Sequence, residues 1–216
     1  MKHQVIEFLS DTDLDSLLAE ANKIRDLHWG KTITYSRKVF VPLTNMCRNT
    51  FSYCTFVKNP ESDEATILTK DQVIDIITEG QKKGCKEVLF SLGEKPELRY
   101  PIARRALKRL GFNSMVDYLK EVCQLTLQES NLIPHVNAGT LSLEDIKKLK
   151  PVTASMGMML ETTSKRLTRK GQPHYACPDK VPIQRIRTLE RAGTMKVPFT
   201  TGLLIGIGET LSERIE

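Results

Sequence analysis

Nowhere in the 216 residues is there an uninterrupted apolar run near the roughly 18 to 20 residues that a membrane-crossing helix needs. The opening, Met1 to Ser10, has neither a basic stretch nor an apolar segment of the kind that marks a secretory leader. The expectation is a cytoplasmic protein with no membrane partner. A basic block interleaved with aromatics is missing too. The 32 Lys and Arg outnumber the 26 Asp and Glu, but they are dispersed as Lys-Lys and Arg-Arg pairs on amphipathic segments. That pattern predicts solvated helix faces and no nucleic-acid partner. Cysteine is sparse and odd in number, with Cys47, Cys54, Cys85, Cys123 and Cys177. Without a leader this argues against a disulfide framework and leaves core packing or metal ligation.

The chain is 40% hydrophobic and 27% charged, ordinary for one globular domain with a sizeable core. Asp11 to Trp29 carries Leu14, Leu17, Leu18, Ala21, Ile24 and Leu27 at helical spacing, with Thr12 and Asp15 placed as a capping box. After it, short β-rich runs alternate with amphipathic stretches five times. The predicted strands are Val39–Thr44, Glu87–Leu92, Ile133–Asn137, Ala154–Leu160 and Phe199–Gly206. The predicted helices are Lys70–Lys83, Ser114–Glu129, Ser142–Leu149 and Pro182–Ala192. Unbroken alternation implies parallel strands joined by crossovers, hence an α/β fold, either an open doubly wound sheet or a barrel. A dinucleotide-binding sheet would place a glycine-rich turn after its first strand, and Asn45-Met46-Cys47-Arg48-Asn49 stands there instead. A partial (βα) barrel of the TIM type with about five units fits better, its chemistry on the loops after the strands. The domain reading is a helical extension over 1–38 and a C-terminally incomplete barrel over 39–216.

The segment that carries chemistry is Asn45-Met46-Cys47-Arg48-Asn49-Thr50-Phe51-Ser52-Tyr53-Cys54-Thr55-Phe56, on the loop after the first strand. It resembles the loop on which radical S-adenosylmethionine (SAM) enzymes place three cysteines, spaced by three and then two residues, with an aromatic before the last. Three thiolates there hold three irons of a [4Fe-4S] cluster and leave the fourth open to SAM. Cys47 and Cys54 match the first and third positions and Tyr53 the aromatic, whereas Phe51 stands at the second. Taken alone, two cysteines seven residues apart are a weak signal.

The resemblance sharpens through Gly84-Cys85-Lys86-Glu87, Arg99-Tyr100-Pro101, Ala154-Ser155-Met156-Gly157-Met158-Met159-Leu160-Glu161-Thr162-Thr163, Pro173-His174-Tyr175, Pro178-Asp179-Lys180 and Pro198-Phe199-Thr200-Thr201-Gly202 running into Gly206-Ile207-Gly208-Glu209-Thr210. From about Val39 to Glu216 the chain is similar to the CofG-type subunit of 7,8-didemethyl-8-hydroxy-5-deazariboflavin (FO) synthase. The resemblance implies a radical SAM carbon–nitrogen lyase of deazaflavin coenzyme biosynthesis. Its 5'-deoxyadenosyl radical acts on an adduct of tyrosine's hydroxybenzyl group and a ribitylamino-uracil, and ring closure releases ammonia. It also implies the companion subunit that makes the adduct and a low-potential electron donor as partners. By the same match, Cys47 and Cys54 are cluster ligands, and the SAM-binding set is Tyr53, Gly93, Glu94, Asn137, Glu161, Thr200 and Gly206. In that set Gly93-Glu94 receives the methionine ammonium and Glu161 the ribose hydroxyls. No catalytic acid or base is assigned. His174 and Tyr175 read as solvated loop residues, and Cys85 and Cys123 as core packing.

Phe51 cannot ligate iron. Three readings of it stand: a damaged or pseudoenzyme copy, an error in the gene as read, or a labile cluster held by two cysteines and a substitute ligand. The expectation is weak SAM binding and no deazaflavin from this chain. Phe51→Cys alone is not expected to restore it, because the chain ends in the helix after the fifth strand.

Overall fold

The computed structural model describes residues 2 to 216. The chain separates into two compact units, Ser36–Gly208 and a smaller one made of the residues up to Tyr35 together with Glu209–Glu216. The smaller unit holds helices α1 (Lys2–Asp11) and α2 (Leu14–Trp29) and, from the other end of the chain, α8 (Leu211–Ile215). The leading helix is therefore present but starts on a different cap. The Asp13 carboxylate accepts both the backbone N–H of Ser16 (2.9 Å) and its hydroxyl (2.6 Å), so it satisfies the helix start in place of Thr12 and Asp15. None of the residues of α2 is buried, and Leu14, Leu18, Ile24 and Leu27 stay exposed. Its end is set by Gly30, at φ 60°, whose N–H returns to the Asp26 carbonyl.

The larger unit runs β1 (Lys38–Thr44), α3 (Lys70–Lys82), β2 (Glu87–Leu92), α4 (Pro101–Arg109), α5 (Met115–Glu129), β3 (Ile133–Asn137), α6 (Leu143–Leu149), β4 (Ser155–Gly157), α7 (Pro182–Thr194) and β5 (Phe199–Thr200). The strands form one parallel sheet in the order β1-β2-β3-β4-β5, the α/β partial-barrel arrangement expected from the alternation. Thr69 and Ser142 cap α3 and α6 with complete capping boxes, and Ser114 caps α5. Strand alternation sends Val41, Leu43, Val88, Phe90 and Val136 into the core with Val73 and Ile77 of α3, Tyr118, Leu119 and Val122 of α5, and Ile146 of α6. The opposite alternation turns Phe40, Ser91 and Asn137 toward a cavity at the strand ends.

Two elements differ from expectation. Helix α4 is not among the predicted helices; of its nine residues only Ala103 and Leu107 are buried. The last two strands are shorter than predicted, three and two residues instead of seven and eight. Their ladder stops at Gly157↔Thr200 and resumes only as a single bridge between Glu161 and Leu203. Beyond it the chain turns through Gly206 and Gly208, at φ 93° and 106°, conformations a strand does not use. Among the described residues no helix is long and apolar enough to cross a membrane.

Near the amino ends of the strands, His135 is buried, with its Nδ1 2.7 Å from the Ser155 hydroxyl. Burial, aided by Lys38, pushes its pKa down against the weaker opposing pull of Glu87. The unfolded chain therefore takes up the proton first, so stability contributed by neutral His135 is full above the ordinary histidine range and is lost as pH falls through it. The unfolding midpoint of the native chain should drop more steeply between pH 7.5 and 5.5 than that of His135→Gln. Parallel pH profiles would contradict this.

Candidate functional site

A cavity of about 400 Å³ opens at the carboxyl ends of the strands, within the size range of small-molecule sites. Each loop from β1 to β4 contributes to it: Cys47, Asn49, Phe51 and Cys54 after β1, Gly93 and Glu94 after β2, Asn137 and Gly139 after β3, and Met159 and Glu161 after β4. Lys180, just before α7, and Arg185, in its first turn, complete the wall.

Beneath the cavity lies a charged layer centred on Asp179, which is 2% exposed. Arg48 holds it with two guanidinium bonds, Nε at 2.5 Å and the second through Nη2. Asn49 donates to it at 3.0 Å, the Thr140 hydroxyl oxygen lies 2.9 Å from it, and Lys95 stands 3.9 Å away. Burial works against ionisation of Asp179, but Arg48 and its other donors outweigh it and hold the pKa below the usual carboxylate range. Glu94 sits beside it, accepting from the Thr140 N–H (2.5 Å), the Thr140 hydroxyl (2.6 Å) and Asn49 (3.2 Å), with Arg185 at 3.9 Å. Here burial and the neighbouring Asp179 charge win, and the Glu94 pKa is raised.

Two glycines make these contacts possible. A Cβ on Gly93 would lie 2.0 Å from the Met46 carbonyl oxygen, so only glycine lets the β2 end press against the Cys47 loop. That approach brings the Glu94 N–H within 3.2 Å of Cys47 Sγ. Gly139, at φ 73°, leaves the space that the Glu94 carboxylate occupies, since its Cβ would fall 2.3 Å from Glu94 Cδ.

The second layer faces the cavity. Glu161 adopts φ 67°, a left-handed conformation unusual for a residue with a side chain. Its carboxylate accepts the Tyr53 hydroxyl (2.7 Å) and Lys180 Nζ, and His174 Nε2 lies 3.2 Å away. Burial alone would raise the Glu161 pKa, but bonds from His174, Lys180 and Tyr53 bring it down to about 2. Glu161 is thus a fixed anion. Tyr53 is shifted the other way, upward, by burial and by the adjacent carboxylate. Lys180 also sits 4.2 Å from the centroid of the Phe51 ring, which packs against Tyr53 at 4.6 Å.

The structure thus gathers Cys47, Cys54, Gly93, Glu94, Asn137 and Glu161 around one cavity, with Tyr53 bonded to Glu161 behind it. Thr200 and Gly206 do not line that cavity. The Thr200 carbonyl accepts the Met158 N–H within the sheet, and Gly206 lies in an exposed turn. Sequence reasoning passed over Arg48, Thr140, Asp179, Lys180 and Arg185, and it took His174 for a solvated residue although it is 1% exposed. Cys177 borders a different cavity, beside His174. Cys123 is fully buried, and Cys85 packs partly buried against the core.

A parallel (βα) sheet with a two-thiol loop after its first strand and acids at the ends of the second and fourth defines a barrel enzyme class with its site at the strand ends. The sequence profile of the radical SAM superfamily matches residues 41–216, and the chain belongs to that superfamily. It is similar to FO synthase of Nocardia farcinica, 49% identical over an alignment of 214 positions that covers 94% of this chain and 25% of that protein. It is also similar to 7,8-didemethyl-8-hydroxy-5-deazariboflavin synthase of Methanopyrus kandleri, 45% identical over 184 residues, 85% of this chain and 55% of that protein. The chain therefore spans from about a quarter to about half the length of these relatives. Solved structures agree on the fold. The FeFe-hydrogenase maturase HydG from Carboxydothermus hydrogenoformans superposes with TM-score 0.73 at 23% identity, covering 99% of this chain and 50% of that one. Methylornithine synthase (PylB) gives 0.72 at 18%, covering 100% and 58%.

The superfamily implies a [4Fe-4S] cluster and SAM. For SAM the cavity offers fitting chemistry: an anion for hydroxyls at Glu161, small residues at Gly93 and Gly139, and apolar surface from Phe40, Phe56 and Met159. A three-thiolate cluster set is not there. Among the cavity's lining residues Cys47 and Cys54 are the two thiols, Phe51 lies between them in sequence, and among the described residues no group of three or more His, Cys, Asp or Glu is placed to hold a metal.

The contact between Gly139 and Glu94 can be tested against Gly171, whose φ is 82° but whose Cβ position is open. Gly171→Ala should cost only left-handed strain, about 1 kcal/mol, whereas Gly139→Ala should cost about 3 kcal/mol by urea denaturation because Glu94 must also move. Equal losses would contradict the cradle.

Proposed function

We propose that this chain is the SAM-facing part of an FO synthase-type radical SAM protein, one that retains the SAM pocket and has lost stable hold of the cluster. The observation that carries the reading is the cavity in which Glu94, Asn137 and Glu161 meet the Cys47–Cys54 loop, with the Phe51 ring in the same wall. The curated relatives support the deazaflavin assignment. In them the names describe FO synthase and 7,8-didemethyl-8-hydroxy-5-deazariboflavin synthase. For this chain we read the corresponding substrate as the adduct of a tyrosine-derived hydroxybenzyl group and a ribitylamino-uracil, with a low-potential electron donor and the adduct-forming companion as partners.

What the residues do follows from their charge states. Glu161, ionised across the working range, accepts hydrogen bonds from vicinal hydroxyls, the feature a ribose offers. Glu94 meets the cation at the amino-acid end of SAM, with Asn49 and Thr140 holding its oxygens in place. Phe40, Phe56 and Met159 give the cavity an apolar face. Two thiols leave a cubane one protein ligand short, so no radical-forming step is assigned to this chain.

Anaerobic reconstitution with iron and sulfide decides the matter. The native chain should retain well under the four irons of a full cluster after desalting, and Phe51→Cys should retain more. A native chain carrying a full complement of iron and sulfide would overturn the reading.

A further inference from the structure

The residue that displaced the third cysteine has partners of its own, and they are buried. The ammonium of Lys180 lies 4.2 Å from the Phe51 centroid and bonds Glu161, and Lys180 is 6% exposed, so it faces the ring with little water between. A desolvated cation over an aromatic face is held more firmly than an exposed one. The ring is itself fixed: Tyr53 packs on it at 4.6 Å, and His174 meets it edge-on at 6.5 Å. Both of those residues bond the same carboxylate.

We infer that Phe51 is a positioning residue: its ring seats the Lys180 ammonium on Glu161 and so keeps an anion facing the cavity. A lysine on a four-carbon stem has many rotamers, and one carboxylate oxygen does not select among them. The ring removes the alternatives by occupying the ammonium's other side. Three groups face Glu161 directly, Tyr53, His174 and Lys180, while Arg185 and Cys177 act on Tyr53 from farther away. His174 spends Nε2 on this group, and its Nδ1 is buried with no hydrogen-bond partner.

The sign of the pH effect separates this role from simple packing. With Lys180 in place the folded pKa of Glu161 lies below the unfolded value, so its contribution is full above the unfolded pKa and fades as pH falls toward the folded one. Without the ammonium, His174 and Tyr53 alone oppose burial, so the folded pKa of Glu161 rises toward the unfolded value and its contribution at neutral pH shrinks.

The test is the unfolding midpoint of the full chain without ligand, at pH 7.5 and pH 3.0, for the native protein, Phe51→Leu, Lys180→Met and Lys180→Arg. Lys180→Met should lower the midpoint by about 8 °C at pH 7.5 and by much less at pH 3.0, near the folded pKa of Glu161. Phe51→Leu, which keeps apolar bulk and removes the π face, should follow with a smaller gap of the same pH dependence, and it carries the test if Lys180→Met does not fold. Lys180→Arg should recover most of the loss, since a guanidinium both stacks on the ring and pairs with the carboxylate. Gaps of equal size at the two pH values, or no recovery by arginine, would overturn the assignment. The use of the anion for ribose rests on the function proposed above and is checked separately. Adenosine should bind at least tenfold tighter than 2',3'-dideoxyadenosine by calorimetry, and equal binding would remove the ribose reading while leaving the unfolding result to judge Phe51.

Discussion

The pairing of buried Asp179 with half-buried Arg48 is the constraint on which the rest of the site depends. One carboxylate, 2% exposed, gathers Arg48 and Asn49 from the loop after β1, Lys95 from the loop after β2 and Thr140 from the loop after β3, and it belongs itself to the segment between β4 and α7. Each of those loops leaves the sheet at a different strand, and hydrophobic packing beneath the helices does not fix their tips. A bidentate guanidinium bond in a desolvated place does, because both partners lose heavily if separated. With four loops tied at one point, Glu94 is pressed between Thr140 and Asn49, and the Cys47 loop is held against the end of β2.

Above that knot the cavity wall is built from charges of opposite fate. Glu94 and Glu161 end neighbouring parts of the same rim, yet burial and Asp179 raise the one while Tyr53, His174 and Lys180 lower the other. Phe51 belongs to this upper layer. Where the superfamily's chemistry calls for sulfur, the chain has a ring that touches a lysine, a tyrosine and a histidine. On the reading proposed above, the ring does two things at once: it leaves the cluster a ligand short, and it gives a buried cation a seat.

How much of this could be read beforehand follows the range of the interactions. Strand and helix positions depend on neighbours a few residues apart, and β1, β2, β3 and the helices α3, α5, α6 and α7 stand where the periodicity places them. The Cys47–Cys54 loop was legible for the same reason, being one continuous segment. The short β4 and β5 were overread, because the left-handed turn at Glu161 and the turn at Gly206 leave no trace in hydrophobic alternation. The Arg48–Asp179 pair spans 131 positions, and nothing local marks either member as a partner. His174 shows the limit most plainly: alone in a polar loop it reads as solvated, and only the folded chain brings Tyr53 and Glu161, 121 and 13 residues away in sequence, against its ring.

The central claim is that this radical SAM pocket survives with an aromatic wall in place of its third thiolate. A crystal structure of the anaerobically reconstituted chain soaked with SAM tests it most directly. The account predicts a nucleoside in the cavity with its ribose hydroxyls on Glu161, Lys180 over the Phe51 ring, and no four-iron cubane between Cys47 and Cys54. A cubane at full occupancy there, with Phe51 swung aside and SAM bound to its open iron, would contradict it.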